Sequence, residues 1–334
     1  MRCYLDTISI YKEFSSSLVL DNTIVKWKMF KKANQSETHF FVRHRGITCR
    51  YYPNQYGVGR LWITTSVPKL LVGSNLRPLN LPNLDVLLYQ AISDILADII
   101  KLSASDRDIA SWQVSRADLF LLHQVPPKQR KWYLDAYSRL ALGTFIPHQH
   151  KGTFYLNSTL AKHRAAGVVV RIYDKPQELG ETSLDAPKVI DKDIEYYLRL
   201  GDDLVDYIRL EFAFRRRVLK NYLHQSSVTV ADIMNAQFQI DRINKMIVRL
   251  GLHRPIVSRS HMKQHLDKIF TKKPTRQKAG KYISMLNSRG VYPSSIRNSF
   301  TEGEIKYYRK KLHEYGIHTI VSEFEDLKPI QPLQ

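Results

Sequence analysis

Tyr173 and Lys175 stand two residues apart in Val168-Val-Val-Arg-Ile-Tyr-Asp-Lys, and Arg171 precedes Tyr173 by the same spacing. In an extended strand alternate side chains share a face. Val169, Arg171, Tyr173 and Lys175 would then point one way, and Val168, Val170 and Ile172 the other. The stretch Tyr207–Arg215 repeats the pattern, with Arg209, Glu211 and Arg215 opposite Ile208, Leu210, Phe212 and Phe214. Arg116 and Asp118 share a face of Val114–Phe120, and Tyr155 lies between Thr153 and Asn157. A phenol, with an ordinary pKa of about 10, is a weak nucleophile near neutrality. A neighbouring cation favours the phenolate, and a divalent ion held by carboxylates also offsets charge on a phosphate. Asp118 and Glu211 could hold Mg2+ or Mn2+ through oxygen ligands, while Lys175 lowers the pKa of Tyr173 or clamps a phosphate. The chemistry open to such a set is attack by a tyrosine on a phosphodiester.

Each assignment has a plainer competitor. An Arg-x-Glu on a strand face is ordinarily a surface ion pair, Arg116 beside Asp118 could be a solvated pair, and a strand tyrosine usually packs. The chain has 19 tyrosines. Tyr155, on a polar strand face of its own, is a second candidate nucleophile. Pro147-His-Gln-His looks superficially like a metal-binding histidine pair, but its context reads as a loop and the pair as coincidence. If His148 and His150 do bind metal, Asp118 and Glu211 become structural.

The elements that must position these residues come from periodicity. Strands are expected at Leu5–Tyr11, Phe40–Val42 with Gly46–Tyr52, Gly59–Thr65, Trp112–Leu122, Thr153–Asn157, Val168–Lys175 and Tyr207–Arg215. Helical spacing runs through Leu84–Leu102, Lys128–Leu142 after Pro126-Pro127, Asp191–Leu200 and Val230–Leu250, the last ending near Gly251. Shorter basic helices follow around His261–Thr271, Lys278–Asn287 and Glu302–Tyr315, with Lys272-Lys-Pro-Thr-Arg-Gln-Lys as an exposed linker or DNA-facing loop between the first two. The fold class is α+β: a mostly antiparallel sheet covered by helices on one face in residues 1–225, then a smaller helical region in 226–334.

Composition narrows the partner. Fifty-one Lys and Arg against 31 Asp and Glu give +20, a field that attracts polyanions because each neutralised phosphate releases condensed counterions. Nucleic acid is the leading partner, ahead of an anionic membrane surface or a merely basic protein. The start has no apolar signal core, no stretch reaches the ~18 apolar residues of a span, and Cys3 and Cys49 make no disulfide framework or zinc spacing. A reducing cytoplasm and no membrane are expected.

In their order along the chain, Gly59–Asn75 with the helix Leu84–Leu102, Ser115-Arg-Ala-Asp, Arg171-Ile-Tyr-Asp-Lys-Pro-Gln-Glu, Ile208-Arg-Leu-Glu-Phe-Ala-Phe-Arg and Ser288-Arg-Gly-Val-Tyr-Pro-Ser-Ser-Ile-Arg-Asn-Ser-Phe resemble the filamentous-phage gene II replication initiators. More loosely they resemble plasmid rolling-circle initiators. The resemblance implies a site-specific endonuclease and strand-joining enzyme that acts at an origin on double-stranded replicative-form DNA in the cytoplasm of a bacterial host. A tyrosine stays linked to the 5′ phosphate and leaves a 3′ hydroxyl, with host helicase and polymerase as further partners and single-stranded DNA as product. The family's Tyr-x-Lys maps onto Tyr173 and Lys175, and its acidic positions onto Asp118 and Glu211. Arg116, Arg171 and Arg209 would face DNA at the site. The tail, as a loose helix-turn-helix with its turn at Gly290–Pro293, would place Arg297, Lys306, Arg309, Lys310 and Lys311 on duplex phosphates; a basic solvated helix is the alternative there. A non-catalytic origin-binding protein and a conjugative relaxase are the competing readings of the whole.

Overall fold

The computed structural model describes residues 3–15, 18–31, 38–53, 58–73, 75, 79, 81–140, 146–150, 153–157, 167–174, 207–288 and 293–333. Its strands are β1 (Cys3–Phe14), β2 (Val19–Leu20), β3 (Lys28–Lys31), β4 (Thr38–His44), β5 (Ile47–Tyr52), β6 (Gly59–Ser66), β7 (Ile100–Lys101), β8 (Gln113–Gln124), β9 (Ile146–His150), β10 (Thr153–Asn157), β11 (Val168–Tyr173) and β12 (Tyr207–Arg215). Its helices are α1 (Val67–Val72), α2 (Leu84–Ile99), α3 (Arg130–Ser138), α4 (Arg216–Leu223), α5 (Val230–Met234), α6 (Ala236–Leu250), α7 (Arg259–Ile269), α8 (Lys273–Asn287), α9 (Pro293–Ser299) and α10 (Glu302–Glu314). The class is α+β, with a large antiparallel sheet and C-terminal helices.

Contacts divide the chain into two compact units: Cys3–Phe120 with Phe212–Asp241, and Leu121–Glu211 with Arg242–Gln334. They cross the expected division at 225/226 rather than follow it. The reason is local: β12 runs directly into α4, and Val228 and Val230 hydrogen-bond to the backbone at Val114 (2.7 Å) and Trp112 (3.0 Å).

In the first unit the strands lie in the order β3-β4-β5-β6-β1-β8, with antiparallel pairing from β3 through β1. Arg45 and Gly46, at φ 44 and 86, make the two-residue turn between β4 and β5; positive φ at both positions matches the turn to strand twist and fixes the register. One side of this sheet is core, with Val42, Cys49, Ile63, Leu61 and Ile10 buried. Helix α2 buries the stripe Leu88, Ile92, Ile95, Leu96 and Ile99, which is the 3.6-residue pattern of an amphipathic helix. It stops at Ile99, not Leu102, because Ile100 and Lys101 turn extended and pair with β2.

In the second unit the strand order is β12-β11-β10-β9. Helices α7 to α10 share a core that includes Leu266, Phe270, Tyr282, Ile283, Phe300, Tyr308 and Leu312. Buried Asn287 ties this core to the C-terminal segment: its Nδ2 donates to the Ile283 and Thr319 carbonyls, and its Oδ1 accepts from Val321 N–H at 2.8 Å. His318 donates from Nε2 to the Leu250 carbonyl and accepts from Ile320 N–H at Nδ1. That pairing needs the neutral ring, and burial carries its pKa down to about 4. His123, with Nδ1 at 3.1 Å from the Tyr137 hydroxyl, is also pushed down to about 4 by burial.

Several expected boundaries move for identifiable reasons. Val230–Leu250 is two helices, because Thr229 and Asp232 close a capping box on the first and Asn235 is extended before the second. Lys272–Lys278 is not a linker but the first turns of α8, where Pro274 sits at a helix start and its missing N–H costs nothing. After Pro126-Pro127 a 3-10 turn over Pro127–Gln129 precedes a helix that ends at Ser138 rather than Leu142. Residues Asp191–Leu200, the expected turn Gly290–Tyr292 and Lys175 lie outside the described residues.

Candidate active site

Adjacent strands β11 and β12 bring Arg171, Tyr173, Arg209 and Glu211 into contact within the second unit. The Tyr173 hydroxyl donates to Glu211 Oε2 at 3.0 Å. Glu211 Oε1 accepts from the Arg171 guanidinium, and Arg209 Nε lies 3.8 Å from Oε2. The Arg209 guanidinium carbon is also 6.0 Å from the centre of the Tyr173 ring. One carboxylate thus holds a phenol and two guanidiniums.

Burial separates this cluster from a surface ion pair. Tyr173 is 4% exposed, Glu211 3% and Arg209 1%, while the Arg171 side chain keeps 27%. Both faces of β12 are covered, so the apolar-in, polar-out reading of Tyr207–Arg215 is half right: the alternation is real, yet only Arg215 of the polar set is exposed. Arg209 therefore cannot be the surface phosphate contact expected of it; its guanidinium serves Glu211 and the Tyr173 ring. Strand β11 ends at Tyr173, and Asp174 beyond it pairs with Arg130 of α3 at 3.2 Å. That pair was missed, although Asp174 follows the candidate nucleophile directly; nothing in strand periodicity signals a partner on a distant helix.

Tyr155 is partly exposed on β10, opposite Arg171 in the antiparallel register. Pro147-His-Gln-His is strand β9 rather than a loop, with His148 opposite Tyr155 and His150 opposite Thr153. The chain tolerates Pro147 there because β9 ends the strand order, and an edge strand needs no ladder donor on its open side.

In the first unit Arg116 grips Asp118 with two donors, Nε to Oδ1 at 2.7 Å and a terminal nitrogen to Oδ2. Asp118 is fully buried. The solvated-pair reading fails for the carboxylate, and the pair is the bidentate form that Arg makes best. The expected Mg2+ or Mn2+ finds no fit in this arrangement. A hard cation needs several free oxygen donors, whereas both oxygens of Asp118 and both of Glu211 already accept from arginine or tyrosine. Among the described residues no group of three or more His, Cys, Asp or Glu is placed to hold a metal ion.

The basic tail residues do converge. Arg297 of α9 and Lys306, Arg309 and Lys310 of α10 line a cavity of about 780 Å3 together with Leu286, Ile296 and Ile305 and two carboxylates, Glu302 and Glu314. Arg309 is partly committed, donating from Nε to the Tyr282 hydroxyl at 2.8 Å, and Lys310 lies 3.8 Å from Glu314. Arg297, Lys306 and Lys310 remain exposed. Helix α9 adds an element that the loose helix-turn-helix expectation lacked. Among the described residues no helix is long and apolar enough to cross a membrane.

No protein-family model, no curated protein and no solved structure matches this chain.

Proposed function

We propose that the protein cleaves and rejoins one strand of DNA through Tyr173, as a replication initiator acting at an origin. The observation that carries this reading is the hydrogen bond from the Tyr173 hydroxyl to Glu211. A carboxylate in that position accepts the phenol proton as the oxygen attacks, which is the general-base assistance a tyrosine nucleophile needs. The phenolic oxygen bonds to phosphorus, the bond to the 3′ oxygen breaks, and the proton passes by way of Glu211 to that oxygen, which leaves as the 3′ hydroxyl. Arg171, partly open to solvent, is the cation best placed to meet the phosphate oxygens. The phosphotyrosine diester conserves the bond, so the reverse step rejoins the strand. A net charge of +20 and the basic cavity of the C-terminal helices supply the attraction for DNA.

The burial of Tyr173 favours a second reading, in which the cluster only locks β11 to β12 and the protein binds an origin without cutting it. A nicking assay separates the two. Supercoiled replicative-form DNA is incubated with the full chain in Mg2+, in Mn2+ and in chelator, and the products are run under denaturing conditions. Conversion to open circles with a denaturant-stable protein–DNA adduct, both lost in Tyr173→Phe, supports the enzyme; binding with no nick under any of the three conditions sinks it. A nick that needs the cation would mean that arginine yields to metal at one of the carboxylates.

A further inference from the structure

The sheet face opposite the first unit's core is open to solvent on β3 to β5 and closes over buried Tyr11 on β1, and it does not look like an ordinary wet face. Cross-strand partners share a face, and the register gives one continuous row: Lys28 opposite Phe41, Phe41 opposite Arg50, Arg50 opposite Trp62, Trp62 opposite Tyr11. A second row beside it runs Phe30 opposite His39, with His39 stacked on Tyr52 at 5.1 Å and Tyr52 opposite Arg60. Rings and cations alternate at contact distance. Trp62 stacks on Tyr11 at 4.8 Å, and Phe30 meets Phe41 edge-on at 5.7 Å. The guanidiniums of Arg43 and Arg50 lie 5.5 and 5.8 Å from the Phe41 ring.

Exposure and charge say what such a face is for. Phe30 is 47% exposed, and Lys28, Arg43 and Arg50 are open to solvent. Solvated sheet faces are normally polar, whereas here exposed Phe30 and half-buried Phe41, Tyr52 and Trp62 stand among open cations, and an apolar patch of that kind marks a binding surface. From Thr38 to Ser66 the chain carries Arg43, Arg45, Arg50 and Arg60 and not one Asp or Glu. The one carboxylate in the two rows, Glu13 on β1, is held by Arg60. We infer that this face is a stacking platform for single-stranded nucleic acid: bases lie on Phe30, Phe41 and Trp62 while Lys28, Arg43 and Arg50 meet the phosphates. Duplex is the poorer fit, because its base faces are already stacked, whereas unpaired bases offer a π-face to any ring. The inference deepens the strand-cleavage reading by naming the substrate form that is held, and it stands or falls separately from Tyr173.

The test is the affinity of the full chain for a fluorescein-labelled oligothymidylate of about 20 nucleotides, a length that spans the site sizes of such platforms, read by anisotropy. Oligouridylate and a duplex of equal length run alongside. Phe41→Ala and Trp62→Ala should each weaken oligothymidylate binding about tenfold, the loss of one stacked base, while Phe41→Tyr keeps it. Arg50→Gln should flatten the salt dependence by about one unit of slope. Trp62 covers Tyr11, so a thermal melt checks its variant; half-buried Phe41 carries the result if that variant unfolds. Tyr173→Phe should bind oligothymidylate like wild type even where it cannot cut, so failure of cleavage and failure of this platform read out differently. Equal affinity of Phe41→Ala and wild type, or binding of duplex alone, overturns the inference. Tighter binding of oligouridylate than of oligothymidylate would assign the face to RNA and overturn its place in a DNA reaction.

Discussion

Two polar strand faces in this chain look alike in sequence and are opposites in structure. On β11 and β12 the Arg, Tyr and Glu of the polar register are buried and bonded to one another, with Arg209 at 1% and Glu211 at 3% exposure. On β3 to β6 Lys28, Phe30, Arg43 and Arg50 are exposed and Phe41 and Trp62 half-buried; Arg43 and Arg50 lie against a ring, while Arg60 is held by Glu13 of β1. A closed, ion-paired face fixes the position of its groups; an open face whose one carboxylate, Glu13, is taken by Arg60 leaves Lys28, Arg43 and Arg50 for a ligand. The first arrangement suits a reaction and the second suits holding a strand.

The comparison breaks most sharply on stability. Glu211→Ala leaves Arg171 and Arg209 without their carboxylate, and stranding a buried charge costs about 3–5 kcal/mol. Phe41→Ala, on the open face, should cost under about 1 kcal/mol, the range of surface substitutions and a weak ring contact. Urea melts of the two variants measure both, and equal losses would erase the distinction. Next in size is pH. His318 and His123 are held neutral by burial, with pKa values near 4 in the folded chain. The unfolded chain binds their protons near 6.5. Their contribution is complete above about pH 6.5 and is lost as pH falls towards 4, up to about 3 kcal/mol for each ring at 1.36 kcal/mol per unit. Melts at pH 7 and 4.5 check this, with His318→Gln expected to show a shallower fall. The smallest effect concerns the tail: replacing exposed Lys306 or Arg297 by Gln should lower the salt slope of duplex binding by about one unit and leave oligothymidylate affinity unchanged.

Strand limits at Thr153–Asn157 and Tyr207–Arg215 were legible to the residue, because alternation there is strict and unbroken. Strand β9 was not, since Pro147 speaks against a strand unless the edge position is known. The start of α8 failed similarly: Pro274 among lysines reads as a linker until its place in the first helical turn is seen. At the site, alternation correctly put Arg171 with Tyr173 and Arg209 with Glu211. It could not say that the face was covered, since periodicity reports direction and never what lies above a side chain. The aromatic face went unread for another reason: its rows exist only across four strand pairings, and no single strand of it stands out.

Under the proposed function, Tyr173 is the residue that joins DNA. The direct measurement is to trap the protein–DNA adduct on origin DNA, digest both components, and locate the nucleotide-bearing peptide by mass spectrometry. The modification is expected on Tyr173, through a 5′ phosphate. Modification of Tyr155 would contradict the role given to Glu211 as proton acceptor, and a DNA-bound protein with no modified tyrosine would contradict cleavage altogether.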